Sequence, residues 1–192
     1  KYPIHINFLN DVASVLIDTS GTGLHKRGYR EVANEAPLKE TLAAGLVYLA
    51  KWYGKKSLFD PFCGTGTILI EAAMIMRNIP PGLNRKALFE SWVNVDSEML
   101  KAVRKKGYEQ ITYDRDVEII GSDIDARTIA IAKKNAELAG VDDCIEFKVL
   151  DVSKWDLELE GACMITNPPY GDRKSVVYGN SVDIGGGRMI KK

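Results

Sequence analysis

The sequence is short of cysteine, of net charge and of long apolar runs, and each shortage removes a class of function. Its three cysteines (Cys63, Cys144, Cys163) fall at no metal-ligand spacing, and an odd count is poor material for a disulfide framework. A reducing cytoplasm is therefore the expected setting, and no metal is expected in the site. No stretch reaches the roughly 18 apolar residues of a membrane span, and no signal-peptide pattern opens the chain, so no membrane partner is expected. Twenty-six basic residues balance twenty-six acidic ones. The chain is thus no generic polyanion binder, and any grip on nucleic acid must be local or lie on another part of the protein. A phosphate-binding G-x-x-x-x-G-K-[ST] loop is also missing, which argues against ATP hydrolysis.

What is present alternates. Residues 4–9 and 12–18 read as two strands about an Asn10-Asp11 turn, the first of them half-buried by its pattern. A helix follows, with Pro37 suited to its first position, an apolar stripe of Leu38, Leu42, Leu46 and Leu49, and an end at Gly54. Leu58–Asp60 reads as a buried strand, Ile68–Met76 as a buried helix, and residues 83–116 as an excursion. Within the excursion Asp96 caps a helix with Met99, Leu100 and Val103 turned inward, and Trp92, Tyr108 and Tyr113 read as packing residues. Val117–Asp123, Ile145–Leu150 and Gly161–Thr166 are further strands, with a helix over Ala126–Ala139 closed by Gly140. Strand and helix in alternation predict an α/β fold with a mostly parallel sheet, helices on both faces and right-handed crossovers.

Ligands in such sheets sit outside the carboxyl ends of the strands. Four successive strands here end in Asp60, Asp123, Asp151 and Asn167, which predicts one shared crevice. The turn Asp60-Pro61-Phe62-Cys63-Gly64-Thr65-Gly66 lets the backbone approach a ligand closely at its glycines and delivers it to a helix N-terminus. An acid at the end of the next strand suits the two hydroxyls of a ribose. Asp123, beside Ile124, is the first choice and Asp125 the second, while Asp151 and Val152 would meet an adenine edge; for each acid a helix cap or turn is the plainer reading. A dinucleotide is disfavoured, because Leu69 stands where the third glycine of G-x-G-x-x-G belongs. Leu24-His25-Lys26-Arg27-Gly28-Tyr29-Arg30 is the densest basic and aromatic cluster. A solvated surface loop is its favoured reading over a contact for phosphate or a stacked base.

Asn167-Pro168-Pro169-Tyr170 gives the crevice its chemistry. An exocyclic amine on a nucleobase is a poor nucleophile, because its lone pair is delocalised into the ring. The Asn167 side-chain oxygen and the Pro168 carbonyl can each accept one of its N–H groups and turn the lone pair toward an electrophilic methyl. Consecutive prolines hold that carbonyl rigidly. Tyr170 offers a face on which an extruded base can stack, and alignment then supplies most of the catalysis. An ordinary Pro-Pro turn is the plainer alternative.

Asp60 to Thr67 together with Asn167 to Tyr170 resembles the class I, Rossmann-like S-adenosylmethionine-dependent methyltransferases that modify exocyclic amines. With Leu24 to Arg30 and Ala36-Pro37-Leu38-Lys39-Glu40-Thr41-Leu42-Ala43-Ala44 added, the chain is similar to the bacterial 23S ribosomal RNA guanine-N2 methyltransferase group over about residues 4–171. Members of that group were often labelled N6-adenine-specific DNA methylases. The resemblance implies S-adenosyl-L-methionine as cofactor and large-subunit ribosomal RNA as partner. Asp60, Phe62, Gly64 and Gly66 would lie along the methionine portion, Asp123 at the ribose and Asp151 at the adenine. The loop carrying Lys26, Arg27 and Arg30, and the turn at 36–38, would border the cofactor or the target nucleotide. DNA adenine-N6 methylation and a non-catalytic adenosine-nucleotide binding module are the alternatives. Full members carry an N-terminal THUMP domain and further strands. The expected division is therefore a linking hairpin at 1–23, an incomplete catalytic domain at 24–171, and a tail at 172–192. The tail, glycine-rich and without period, reads as non-native, the translation of a sequencing-adapter read-through.

Overall fold

The computed structural model describes residues 2–30, 38–114, 117–155 and 161–168, with the backbone alone of 180–182 and 189–191. At its centre the short strand β3 (Leu58–Asp60) is buried at every position. A strand buried on both faces needs no alternation, which is why Leu-Phe-Asp can form one. It pairs in parallel with β4 (Ile119–Asp123) on one side and with β6 (Cys163–Met164) on the other, and β5 (Ile145–Val149) lies outside β4. The order β5-β4-β3-β6 is that of a Rossmann-like sheet, as expected.

One face of this sheet carries the core. Leu58, Ile119, Ile145 and Phe147 pack there against α1 (Glu40–Leu49), α2 (Thr67–Met76) and α4 (Ala126–Ala139). Helix α2 is buried on almost all sides, as its composition predicts. Helix α4 follows its sequence signals closely. The Asp125 carboxylate accepts the Arg127 N–H at 2.9 Å at the start, and Gly140 ends the helix with φ +72°. Helix α1 differs from expectation. Leu38 and Leu46 pack against the core as expected, but Leu42 and Leu49 are exposed, and the fully buried positions are Glu40, Ala43 and Val47. Small side chains at 43 and 47 allow α1 to lie close on α2, and bulky leucines on that face would hold the helices apart. The helix also stops at Leu49 rather than near Gly54. Lys51 takes φ +52°, Trp52 turns into the core, and its indole N–H is held by the Lys56 carbonyl at 2.7 Å. Pro37 lies outside the described residues.

The N-terminal hairpin forms as read, from β1 (Ile4–Leu9) and β2 (Val12–Ile17). Asn10 and Asp11 both take positive φ (49° and 58°), the geometry of a tight two-residue hairpin turn. Its strands are exposed throughout rather than half-buried. In the excursion, Asp96 caps α3 (Ser97–Glu109) by accepting the Glu98 N–H at 2.8 Å, but Met99 and Val103 face solvent. Tyr108 and Tyr113 are likewise exposed, although Tyr113 carries the Arg77 guanidinium over its ring at 5.1 Å. The excursion is held by the buried Leu83, by the Trp92 ring against Tyr2 with centroids 4.8 Å apart, and by polar contacts. Arg104 donates to the Leu83 and Arg85 carbonyls at 2.6 and 2.8 Å and pairs with Glu90. In the glycine-rich tail, β7 (Asn180–Val182) and β8 (Met189–Lys191) form an antiparallel ribbon where no strand period was read.

The close fit of α2 on β4 gives a stability test. A Cβ at Gly121 would collide with Leu69 and come within 3.0 Å of Cys63 Cβ. Gly121→Ala is therefore expected to cost about 1–3 kcal/mol through overpacking. Thermal unfolding should show a melting temperature several degrees lower, and an unchanged value would contradict this packing.

Candidate active site

The parallel order brings the four predicted strand-end residues to one edge of the sheet. Read across it, Asp151 follows β5, Asp123 closes β4, Asp60 closes β3 and Asn167 follows β6. The last ladder bond between β3 and β6, Ile165 N–H to the Phe59 carbonyl at 3.1 Å, sets Asn167 two residues beyond the glycine turn's own strand. The turn after β3 and the start of the Asn-Pro-Pro-Tyr segment therefore leave the sheet side by side. Asn167 is half-buried and Pro168 exposed; Pro169 and Tyr170 lie outside the described residues.

The turn at 60–66 is held by the acids around it. Asp60 accepts the Phe62 N–H at 3.1 Å, and Asp123 accepts the Gly64 N–H at 3.2 Å and the Asp125 N–H at 2.9 Å. The two glycines serve different ends. Gly64 has φ +54° and open space where a Cβ would stand, so its backbone is free for close approach by a ligand. Gly66, φ +81°, starts α2, and a Cβ there would meet Phe147 at 3.0 Å and Ala132 at 3.2 Å, so it is needed for packing. No side chain caps α2, which leaves its first N–H groups facing the edge. Asp151 caps the short turn Val152–Lys154, accepting from Ser153 N–H at 2.9 Å, which holds its carboxyl below the usual range. Ile124 presents an exposed apolar side chain beside Asp123. An open glycine backbone, uncapped helix N–H groups, two carboxylates in a row and an apolar neighbour together suit an adenosyl group bearing an amino-acid chain. No described helix is long and apolar enough to cross a membrane.

Asp60 is the electrostatic anomaly of the edge. It is 1% exposed, and burial pushes its carboxyl up to about 7. The Phe62 N–H and the adjacent Thr166 hydroxyl offset part of that rise, whereas Asp123 adds to it.

The basic cluster at 24–30 is not the solvated surface loop of its favoured reading. Tyr29 is buried and donates to Glu71 Oε1 at 3.0 Å, Arg27 pairs with Glu71 at 3.3 Å, and Arg30 donates to the Thr67 hydroxyl and the Leu38 carbonyl while facing Glu40 at 3.6 Å. These residues brace the starts of α1 and α2 from behind the glycine turn. Only Lys26 and Leu24 among the larger side chains of the cluster are exposed. One signal for this was legible, since Glu71 is a lone acid in an otherwise apolar helix. Sequence pattern carries no signal for two further residues, Trp155 and Ser122. The Trp155 indole N–H donates to the Ser122 hydroxyl at 2.7 Å, and that hydroxyl reaches the Pro61 carbonyl at 3.3 Å. A cavity of about 800 Å³ lies at the other end of the sheet, among Arg77, Tyr113, Glu118 and Asp143. Its guanidinium is already bound by Asp143 and the Gly140 carbonyl.

A profile of the RMKL-like, methyltransferase domain family matches residues 27–177. The chain belongs to this family. Its relatives include the "Putative RNA methyltransferase YpsC" of Bacillus subtilis, 47% identical over 90% of this chain and 45% of its own length. Ribosomal RNA large subunit methyltransferase K/L of Shewanella baltica is 43% identical over 90% of this chain and 25% of its own. Among solved structures, that of SMU.472 complexed with SAH superposes with a TM-score of 0.83 at 44% identity, covering 90% of this chain and 45% of that one. The chain thus spans less than half the length of these relatives.

The raised Asp60 carboxyl has a consequence for stability with a definite sign. Between the unfolded value of 3.8 and the folded value of about 7, the native state keeps a proton that the unfolded chain has released. Stability is therefore fullest below pH 3.8, falls as pH rises through this window, and levels off above it. Asp60→Asn keeps an acceptor for Phe62 N–H and removes the charge. It should be more stable than the parent above pH 7, by about 4 kcal/mol at most, with the advantage fading toward pH 4. Denaturant unfolding at several pH values would measure this. An equal penalty at every pH would show that Asp60 is not buried as a charge.

Proposed function

We propose that this chain carries the cofactor-binding and catalytic part of an S-adenosyl-L-methionine-dependent methyltransferase. Its substrate on this reading is the exocyclic N2 amine of a guanine in large-subunit ribosomal RNA, and its setting the cytoplasm. The observation that carries this reading is the adjacency of β3 and β6, which sets the glycine turn and Asn167-Pro168 next to each other at one edge. The SAH bound to SMU.472 supports the cofactor, and the RNA methyltransferase names of the curated relatives favour RNA over DNA.

S-adenosyl-L-methionine supplies an electrophilic methyl on a sulfonium centre. The chain's own groups do the rest. Asp60, Pro61, Phe62, Cys63, Gly64, Thr65 and Gly66 form the open turn for the methionine portion, and the N–H groups at the start of α2 favour its carboxylate. Asp123 accepts from the ribose hydroxyls, with Ile124 against the adenosine, and Asp151 with Val152 meets the adenine edge. Asn167 and the Pro168 carbonyl accept the two N–H groups of the target amine and so direct its lone pair, Pro169 keeps that carbonyl in place, and Tyr170 stacks the base. With the cofactor bound, the methyl carbon would pass to the amine as its bond to sulfur breaks, SAH would leave as the neutral thioether, and the extra proton on nitrogen would go to water, with no covalent enzyme intermediate.

Asn167→Ala should leave SAH affinity within about twofold, since the residue lies across the edge from the adenosine, and should cut transfer by about 100-fold or more. Transfer of labelled methyl to unmodified large-subunit rRNA, followed by digestion to nucleosides, reads this directly. N2-methylguanosine is the expected product. N6-methyladenine made in DNA would move the assignment to the adenine alternative, and SAH binding without transfer to either substrate would leave a nucleotide-binding module.

A further inference from the structure

Three turns at the carboxyl edge, after β3, β4 and β5, arise from segments far apart in sequence. One hydrogen-bonded relay on the face of the sheet opposite α2 joins the first and last of them through β4. Ser122 sits on β4, one residue before Asp123, and is fully buried. Its carbonyl accepts the Cys63 N–H at 2.9 Å, and its hydroxyl reaches the Pro61 carbonyl at 3.3 Å. From the turn after β5, Trp155 brings its indole N–H to the same hydroxyl at 2.7 Å. Its ring stands edge-on to Phe59 of β3, with centroids 5.8 Å apart and planes at 85°.

The direction of the relay is fixed by chemistry. An indole N–H can only donate and has no lone pair to offer, so the Ser122 oxygen must accept from it. The Ser122 proton is thereby left for its other neighbour, the Pro61 carbonyl, which can only accept. The Pro61–Phe62 peptide is then gripped at both ends, its oxygen by Ser122 and its N–H by the Asp60 carboxylate at 3.1 Å. Trp155 is itself placed by the turn that Asp151 caps, through its N–H to the Val152 carbonyl at 3.2 Å. The relay therefore runs from the turn of Asp151 and Val152, through the strand of Asp123, to the turn of Asp60 and Gly64.

We propose that Trp155 and Ser122 are positioning residues for the cofactor, holding the turns after β3 and β5 at a fixed separation so that both ends of one adenosyl ligand are met at once. This rests on the assignment of the edge to S-adenosylmethionine. Neither side chain is assigned a contact with the ligand; both act through Pro61 and through the 151–155 turn. Preorganisation of this kind changes affinity by sparing the ligand the cost of ordering the turns. It leaves the amine-orienting group at Asn167 untouched.

The test is a double-mutant cycle on the purified protein, with SAH affinity by calorimetry and S-adenosylmethionine KM and kcat by methyl transfer. Trp155→Phe keeps the ring against Phe59 and deletes the donor, and Ser122→Ala deletes the hydroxyl. Each should weaken SAH binding and raise KM about tenfold with kcat within about twofold, the scale of one buried hydrogen bond. The double variant should be little worse than Ser122→Ala alone, because both changes break the same relay. Equal affinity in parent and Trp155→Phe, or losses that simply multiply in the double variant, would overturn the relay. So would a fall in kcat at unchanged KM. Failure of the parent itself to bind SAH would instead remove the cofactor assignment, which separates the two ideas.

Discussion

Residues Leu58–Asp60 must pair with a parallel strand on each side, because every backbone and side-chain group of the segment is shut away from water and unpaired amides there would be costly. That one requirement sets the molecule's order. With β4 on one flank and β6 on the other, the loops that leave all three strands open toward the same edge, although the second and third lie far along the chain from the first. Distance in sequence is thereby converted into adjacency of the glycine turn and Asn167-Pro168.

Burial at this edge carries an electrostatic cost that the fold accepts. Asp60 is shut in beside Asp123, and its carboxyl rises to about 7. An acid that only braced the turn would serve as well in a wetter place. Keeping it at the junction of two strands, with its oxygen on the Phe62 N–H, suggests that the shape of the turn is worth more than the stability forgone. The arginines and tyrosine behind the turn follow the same logic from the other side. Arg27, Tyr29 and Arg30 neutralise or bind Glu71 and Glu40, so that helices α1 and α2 can carry acids into a nearly dry interface.

Much of the architecture was legible because its signals are local. The αL glycine after α4, the Asp caps of α3 and α4, the Asn10-Asp11 hairpin turn and the apolar run of α2 are each decided within a few residues, and each appears where the pattern put it. Failures came where packing partners decide. Half of the leucine stripe on α1, Leu42 and Leu49, gave way to Ala43 and Val47, since contact with α2 rewards closeness above bulk. Met99 and Val103 on α3 show that an apolar period can mark a face for which these residues provide no cover. The solvated-loop reading of the basic cluster failed for a related reason, because charge density in a sequence does not reveal that Arg27 finds its counter-charge at Glu71 of α2, forty-four residues on, and Arg30 faces Glu40 of α1.

Residue types and near neighbours were enough to set the chemistry on offer: a glycine turn entering a helix, acids at strand ends, and an amide followed by two prolines. Their array came from the folded chain. It placed Asp151, Asp123, Asp60 and Asn167 in that order along one edge, gave Gly64 to open space and Gly66 to packing, and tied the turns together through Ser122 and Trp155. Strand order and long-range hydrogen bonds are settled by which buried surfaces and amides satisfy one another across the whole chain, and no window of sequence contains that sum.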